Sequence, residues 1–256
     1  RFRISNGVFK TYDDAVALNG HDYASGNPEL GWIEDGVVEN CHDLNADKVI
    51  GFFSRILAGA WIDWLPGMIV QNSDTVVANG RLYRVRAQSD GQTYESHTQP
   101  AHEEGTQVID GITWVMVQDD VTYSAGVSQV IFRDIILSKP RIGFSVHFDE
   151  DRFSRSFYPG SKAPMQKQLL FDHITVAYPE HQELISVCTP VDGITISNST
   201  FRDSPISFYD RAATIDQGTT HVSLIGCTFT NKGPFELLAN SAPNKTVHLK
   251  TIGSIA

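Results

Sequence analysis

One short pattern returns along this 256-residue chain, and it restricts the fold more than any other feature. In its fullest form an apolar residue is followed two positions later by Asn or Asp, and three positions after that by a second apolar residue. It reads Ile4-Ser5-Asn6-Gly7-Val8-Phe9, Val38-Glu39-Asn40-Cys41, Phe132-Arg133-Asp134-Ile135-Ile136-Leu137 and Phe171-Asp172-His173-Ile174-Thr175-Val176. Two more copies are Ile196-Ser197-Asn198-Ser199-Thr200-Phe201 and Leu224-Ile225-Gly226-Cys227-Thr228-Phe229. The leading apolar positions 4, 38, 132, 171, 196 and 224 are separated by 34, 94, 39, 25 and 28 residues. Periods of about 20 to 50 residues denote solenoids, in which each repeat buries its apolar face only against its neighbours. The 94-residue step is too long for one winding. Removing a foreign segment of about 60 residues would return it to register.

The predicted architecture is therefore all-β: a parallel β-helix (1–60 and 122–256) interrupted by a small antiparallel β module (61–121). β-Branched and aromatic residues alternate with polar ones between Asn, Asp, Gly and Ser clusters, and no long segment has a helical period. Within 61–121, Val77-Ala78-Asn79-Gly80-Arg81-Leu82 and Ile109-Asp110-Gly111-Ile112 carry the strongest short-range hairpin signals. The polar stretch 87–105 reads as loop, so three or four strands are expected, with Trp61 and Tyr123 close together. The step from Phe132 to Phe171 contains an excursion, Asp149-Glu150-Asp151-Arg152-Phe153-Ser154-Arg155-Ser156-Phe157-Tyr158, and long loops on a regular scaffold often carry function.

Composition narrows the class of partner. A net charge of −10 argues against general nucleic-acid binding, which needs a basic face. No apolar stretch approaches the roughly 20 residues of a membrane span. The opening Arg1-Phe2-Arg3-Ile4 already reads as strand and lacks a signal-peptide pattern, as expected of a mature end or a cut fragment. The three cysteines cannot all pair, and Cys41 and Cys227 share one place in the repeat, so they are expected to be buried. His21, His42, His147 and His173 lack metal-ligand spacing, so neither metal nor cofactor is expected.

A stack of parallel strands about 4.8 Å apart offers a long shallow face suited to a polymer, and it makes neighbours of carboxylates from successive turns. Such spacing suits glycoside hydrolysis, in which one carboxyl group protonates the leaving oxygen and another activates water. The densest candidate is Tyr12-Asp13-Asp14-Ala15-Val16-Ala17-Leu18-Asn19-Gly20-His21-Asp22. It resembles the Asp-Asp-Cys-Ile-Ala motif of the polygalacturonase-like glycoside hydrolases of family 28, which are right-handed, pectin-lyase-like parallel β-helices. Gly51-Phe52-Phe53-Ser54-Arg55-Ile56 is similar to that family's Gly-x-Arg-Ile-Lys segment, and Pro140 to Val146 to a later core strand. The resemblance implies that Asp14 is the general acid, that Asp13 holds the attacking water, and that Arg55 binds substrate. It also implies a further catalytic aspartate one turn upstream, which would precede Arg1. The family's Gly-His-Gly motif is absent, with His21 as a substitute, and its lysine is replaced by Leu57. Strict alternation would send the Asp13 and Asp14 carboxylates to opposite faces, and an acidic pair at a strand start also serves to cap backbone amides.

The insert, with Trp64-x-x-Gly67-Met68, Asn79-Gly80-x-x-Tyr83 and Gly111-x-x-Trp114, resembles small chitin-binding-like modules, which also occur in phage tail-spike depolymerases. Trp61, Trp64, Tyr83 and Trp114 are candidate sugar platforms, although a module this small needs several of the same rings for its core. Arg81, Arg84 and Arg86 suggest a basic stripe on one face. His21, Asp22 and Arg152 complete the candidate substrate contacts. These features imply a secreted or virion-tail enzyme hydrolysing a pectin-like or bacterial surface polysaccharide, trimeric if part of a spike. A non-catalytic glycan-binding or structural spike segment and a polysaccharide lyase are the alternatives.

Overall fold

The computed structural model describes residues 1–21, 30–46, 51–86, 91–150, 155–177, 183–202, 205–210, 216–230 and 237–254, and among these every regular element is a strand. No helix among them is long and apolar enough to cross a membrane. The body is a parallel β-helix whose windings build two sheets. The major sheet runs through Phe2–Ser5, Gly36–Ala46, Val127–Lys139, Lys167–Val176, Gly193–Ser197, Gly218–Ile225 and Lys245–Ile252. The minor sheet runs through Val16–Asn19, Ser54–Ala60, Ile142–Phe148, Glu183–Val187, Ile206–Phe208 and Leu238–Asn240.

The register explains the repeat. Ile4, Val38, Phe132, Phe171, Ile196 and Leu224, the leading apolar residues of the six copies, are consecutive partners in the major sheet. Their side chains point inward, and five of the six are completely buried. Phe132 and Phe171 stack at 5.3 Å with rings 7° from parallel, while Phe144 of the minor sheet meets Phe171 edge-on at 4.7 Å. One winding thus packs its aromatic ring on the next, across the thickness of the coil and along its axis.

The Asn/Asp position two residues later is where each strand bends. Asn6, Asn40, Asp134, His173, Asn198 and Gly226 have φ of 59°, 49°, 54°, 51°, 48° and 61°. That left-handed backbone is disfavoured for most L-residues and tolerated by Asn, Asp, His and Gly, so the pattern marks a corner that recurs at the same height in every turn. Asn40 donates to the side chain of Asn6, and Asn198 Nδ2 donates to Asp172 Oδ1 at 2.9 Å, tying successive corners together. The next residue points back into the core, which buries Cys41, Ile135, Ile174 and Cys227; all three cysteines of the chain are free thiols.

The chain leaves the coil after Ala60 and rejoins it at Ser124, where Ser124 and Ala125 pair antiparallel with Ala60 and Gly59. Trp61 N donates to Tyr123 O at 3.0 Å at that junction. Between these points lies a five-stranded sheet (Ile62–Asp63, Thr75–Ala78, Arg81–Val85, Thr106–Ile109, Ile112–Gln118) beside a two-stranded one (Met68–Gln71, Thr93–Ser96). Asn79-Gly80 and Asp110-Gly111 each have two positive φ values (50° and 74°, 55° and 75°), as type I′ hairpin turns require. The sheets hold more strands than the sequence suggests. Thr93–Ser96, within the stretch read as loop, pairs with Met68–Gln71, and its one large apolar residue, Tyr94, packs on the module core.

The basic stripe does not form. Residues 81 and 84 differ in parity, so alternation places them on opposite faces. Arg81 is ion-paired with Glu103 and Asp119, and Arg84 is buried.

Candidate functional site

The segment before the first strand of the minor sheet carries Asp13 and Asp14. Directly beneath it, Gly51 has φ +78°, and a Cβ there would lie 2.6 Å from the Asp13 carbonyl carbon and 2.8 Å from Asp14 N. Glycine is what lets the two backbones approach so closely. Phe52 N then donates to Asp14 Oδ1 at 2.8 Å, and Ala15 N to Phe52 O at 3.1 Å. Asp14 Oδ2 accepts the Arg55 guanidinium, with Nε at 3.2 Å, and the same Nε lies 3.0 Å from Asn19 Oδ1. The Asp14 side chain is 10% exposed and that of Arg55 24%. Asp13 is exposed; its Oδ1 accepts Asp14 N at 2.9 Å, while Thr11 Oγ1 donates to its carbonyl at 2.6 Å. Winding therefore brings Asp14, Arg55 and Asn19 together from two turns. Each Asp14 oxygen is occupied by a partner, whereas the Asp13 carboxylate faces solvent.

On the same outer face, one turn further along, Ser145, His147 and Asp149 occupy alternate positions of a strand running into the excursion. Ser145 Oγ lies 2.9 Å from His147 Nδ1, and His147 Nε2 lies 3.4 Å from Asp149 Oδ1. A proton on Nε2, facing the carboxylate, leaves Nδ1 to accept from the serine hydroxyl. Phe52 meets the imidazole edge-on at 5.8 Å, and the Arg141 guanidinium carbon lies 6.0 Å from the Phe52 ring centre. All three polar residues are buried. The spacing Ser-x-His-x-Asp, one face of a strand, was the readable signal for this array.

His21 is not presented to a substrate. It is fully buried, 5.5 Å from the Trp61 ring, and its pKa is lowered to about 3 because burial strips hydration from the cation and Arg84 repels it, against the attraction of Asp149. The imidazole is a neutral packing group between coil and module.

Three of the four candidate platforms are also inside. Tyr83 and Trp114 sit in the module core with Met68, Val70, Val76 and Val85, and Trp61 packs with Leu30, Val77 and Leu82 at the junction. Trp64 is partly buried on the module core and donates from Nε1 to Ser96 Oγ at 2.8 Å. A buried ring has no face free for a sugar, so the demand for a core in this small module takes Trp61, Tyr83 and Trp114. Asp22 and Arg152 lie outside the described residues.

The outer face of the major sheet holds a shallow cavity of about 520 Å³ lined by Gln129, Ile131, Gln168, Leu170, Gly193 and Thr195. Gln129 and Gln168, each at a second left-handed corner, bond side chain to side chain at 3.5 Å. Among the described residues no group of three or more His, Cys, Asp or Glu is placed to hold a metal ion. Comparison of the chain with protein-family models, with curated proteins and with solved structures finds no match.

Proposed function

We propose that this β-helix acts on a polysaccharide and hydrolyses its glycosidic bonds at the Asp13–Asp14–Arg55 cluster. The observation that supports this reading is the Asp14–Arg55 pair, assembled from adjacent turns beside an exposed carboxylate, Asp13. Because both Asp14 oxygens already have partners, Asp14 is assigned to orient Arg55. Asp13 is assigned to the proton work at the scissile bond, giving its proton to the leaving oxygen and, as the resulting carboxylate, taking one from the attacking water. Arg55 then binds a hydroxyl or carboxylate of the sugar next to that bond. The family resemblance implies the opposite division of labour, with Asp14 as the acid, so single substitutions separate the two assignments.

The test uses the full chain with pectins and bacterial capsular and O-antigen polysaccharides, counting new reducing ends. Asp13→Asn should abolish turnover while leaving the fold intact, and Asp14→Asn should weaken substrate binding. Products absorbing near 235 nm, a general signature of an unsaturated sugar, would indicate a lyase instead. A second reading, glycan recognition without cleavage, is favoured by the saturation of Asp14 by Phe52 N and Arg55. Binding with no new ends from any polymer would select it.

A further inference from the structure

The excursion that leaves the coil after Phe148 returns through Arg155 to Tyr158, and this return limb lies between the two parts of the molecule. On the coil side it is held by backbone and packing. Ala60 N donates to Ser156 O at 2.7 Å, Ser156 N donates to Asp149 O at 2.8 Å, and Phe157 meets Phe148 edge-on at 6.1 Å. On the module side it is held by two side chains. Arg155 Nη1 pairs with Asp74 Oδ2 at 3.1 Å, with those side chains 16% and 1% exposed. Tyr158 OH donates to Ile69 O at 3.0 Å, and its ring packs on the module core. We propose that residues 155–158 form a clasp that fastens the inserted module to the coil, and that proton binding at the Asp74–Arg155 contact tightens it. This inference stands apart from the polysaccharide reading.

The direction follows from where Asp74 sits. Its Oδ2 also accepts Gln71 N at 2.9 Å, within the module. Burial is the largest influence and pushes its pKa up to about 7; Arg155 and the Gln71 amide oppose this, and Glu150 adds to it. Released into solvent, an aspartate titrates near 3.9. The docked form therefore holds its proton more firmly than the released form. Docking is fully favoured below about pH 4, weakens as pH rises, and loses this contribution above about pH 7. Tyr158 is pushed up by burial and by Asp74, so it stays protonated and keeps its bond to Ile69 throughout. Of the other groups along the junction, His21, held at about 3, stays neutral across that range, and Arg84 keeps its charge. His147 and Asp149 face each other, and Asp149 also acts on His21.

Amide hydrogen exchange on the full chain tests the clasp, read at Ala60 and Trp61 and corrected for the intrinsic pH dependence of exchange. In the wild type, opening at these amides should rise on the order of tenfold to a hundredfold between pH 5 and pH 8.5. Asp74→Asn, which keeps the shape without the charge, should flatten that rise and open less than wild type at pH 8.5. Arg155→Gln should open the junction more at pH 8.5 and little at pH 5. Equal pH profiles for wild type and Asp74→Asn would overturn the proposal, as would Arg155→Gln behaving like wild type at pH 8.5.

Discussion

Replacing Phe171 with alanine removes a ring that no solvent reaches, stacked on Phe132 at 5.3 Å, crossed by Phe144 at 4.7 Å and in register with Ile196. Truncating a buried Phe typically costs about 3–5 kcal/mol in transfer and cavity terms. Loss of two aromatic contacts adds about 0.5–1.5 kcal/mol each beyond area. The cavity opens in the middle of the stack, where windings on both sides constrain collapse, so about 5 kcal/mol is the expected loss. Leu170, next in sequence, points outward beside Ile131 and is half-exposed, so Leu170→Ala should cost about 1 kcal/mol. Urea denaturation followed by circular dichroism would give both midpoints. An equal or larger loss for Leu170→Ala would refute the register, because a slip of one residue exchanges inside and outside along the whole strand.

Other substitutions probe the corners and the site. Asn198→Gly should cost about 1 kcal/mol, through loss of the bond to Asp172, and Asn198→Val about 1–2 kcal/mol more, since φ of 48° strains a branched side chain; thermal melts distinguish them. Gly51→Ala should disrupt the Asp13–Asp14 turn, with a loss of about 2–3 kcal/mol and of any turnover, because its Cβ has no room against the Asp13 backbone. Glu39, flanked by Arg133 and Arg3, has its pKa lowered chiefly by the hydrogen bond from Arg133. Its contribution is therefore present above the ordinary glutamate pKa and lost as pH falls through the lowered value, and Glu39→Gln should reduce the acid-side loss of stability seen in pH-dependent melts.

How much of this was legible in the chain depends on the kind of signal. The repeat located the inward ladder residue by residue, because an apolar core position and a left-handed corner each admit few residue types. Asn-Gly and Asp-Gly located both hairpin turns for the same reason. Thr93–Ser96 escaped because a strand with one apolar residue carries too little alternation. The aromatic residues of the insert were ambiguous in principle, since a ring is equally suited to a core and to a sugar, and only the packing shows which one it serves. Asp14 and Arg55 were found by motif, but the capping of Asp14 by Phe52 N depends on the close approach at Gly51, which spacing alone does not reveal.

The account depends on in-register stacking, which makes neighbours of residues on successive turns, and cross-linking measures that directly. Ile131 and Leu170 are outward partners 39 positions apart, with Cα atoms expected about 4.8 Å from each other. The double substitution Ile131→Cys and Leu170→Cys should oxidise readily to a disulfide, because that separation lies within the range a disulfide spans. Moving the second cysteine to position 171, whose side chain points into the core, should prevent it. Efficient bonding between 131 and 171, with none between 131 and 170, would contradict the stacked coil.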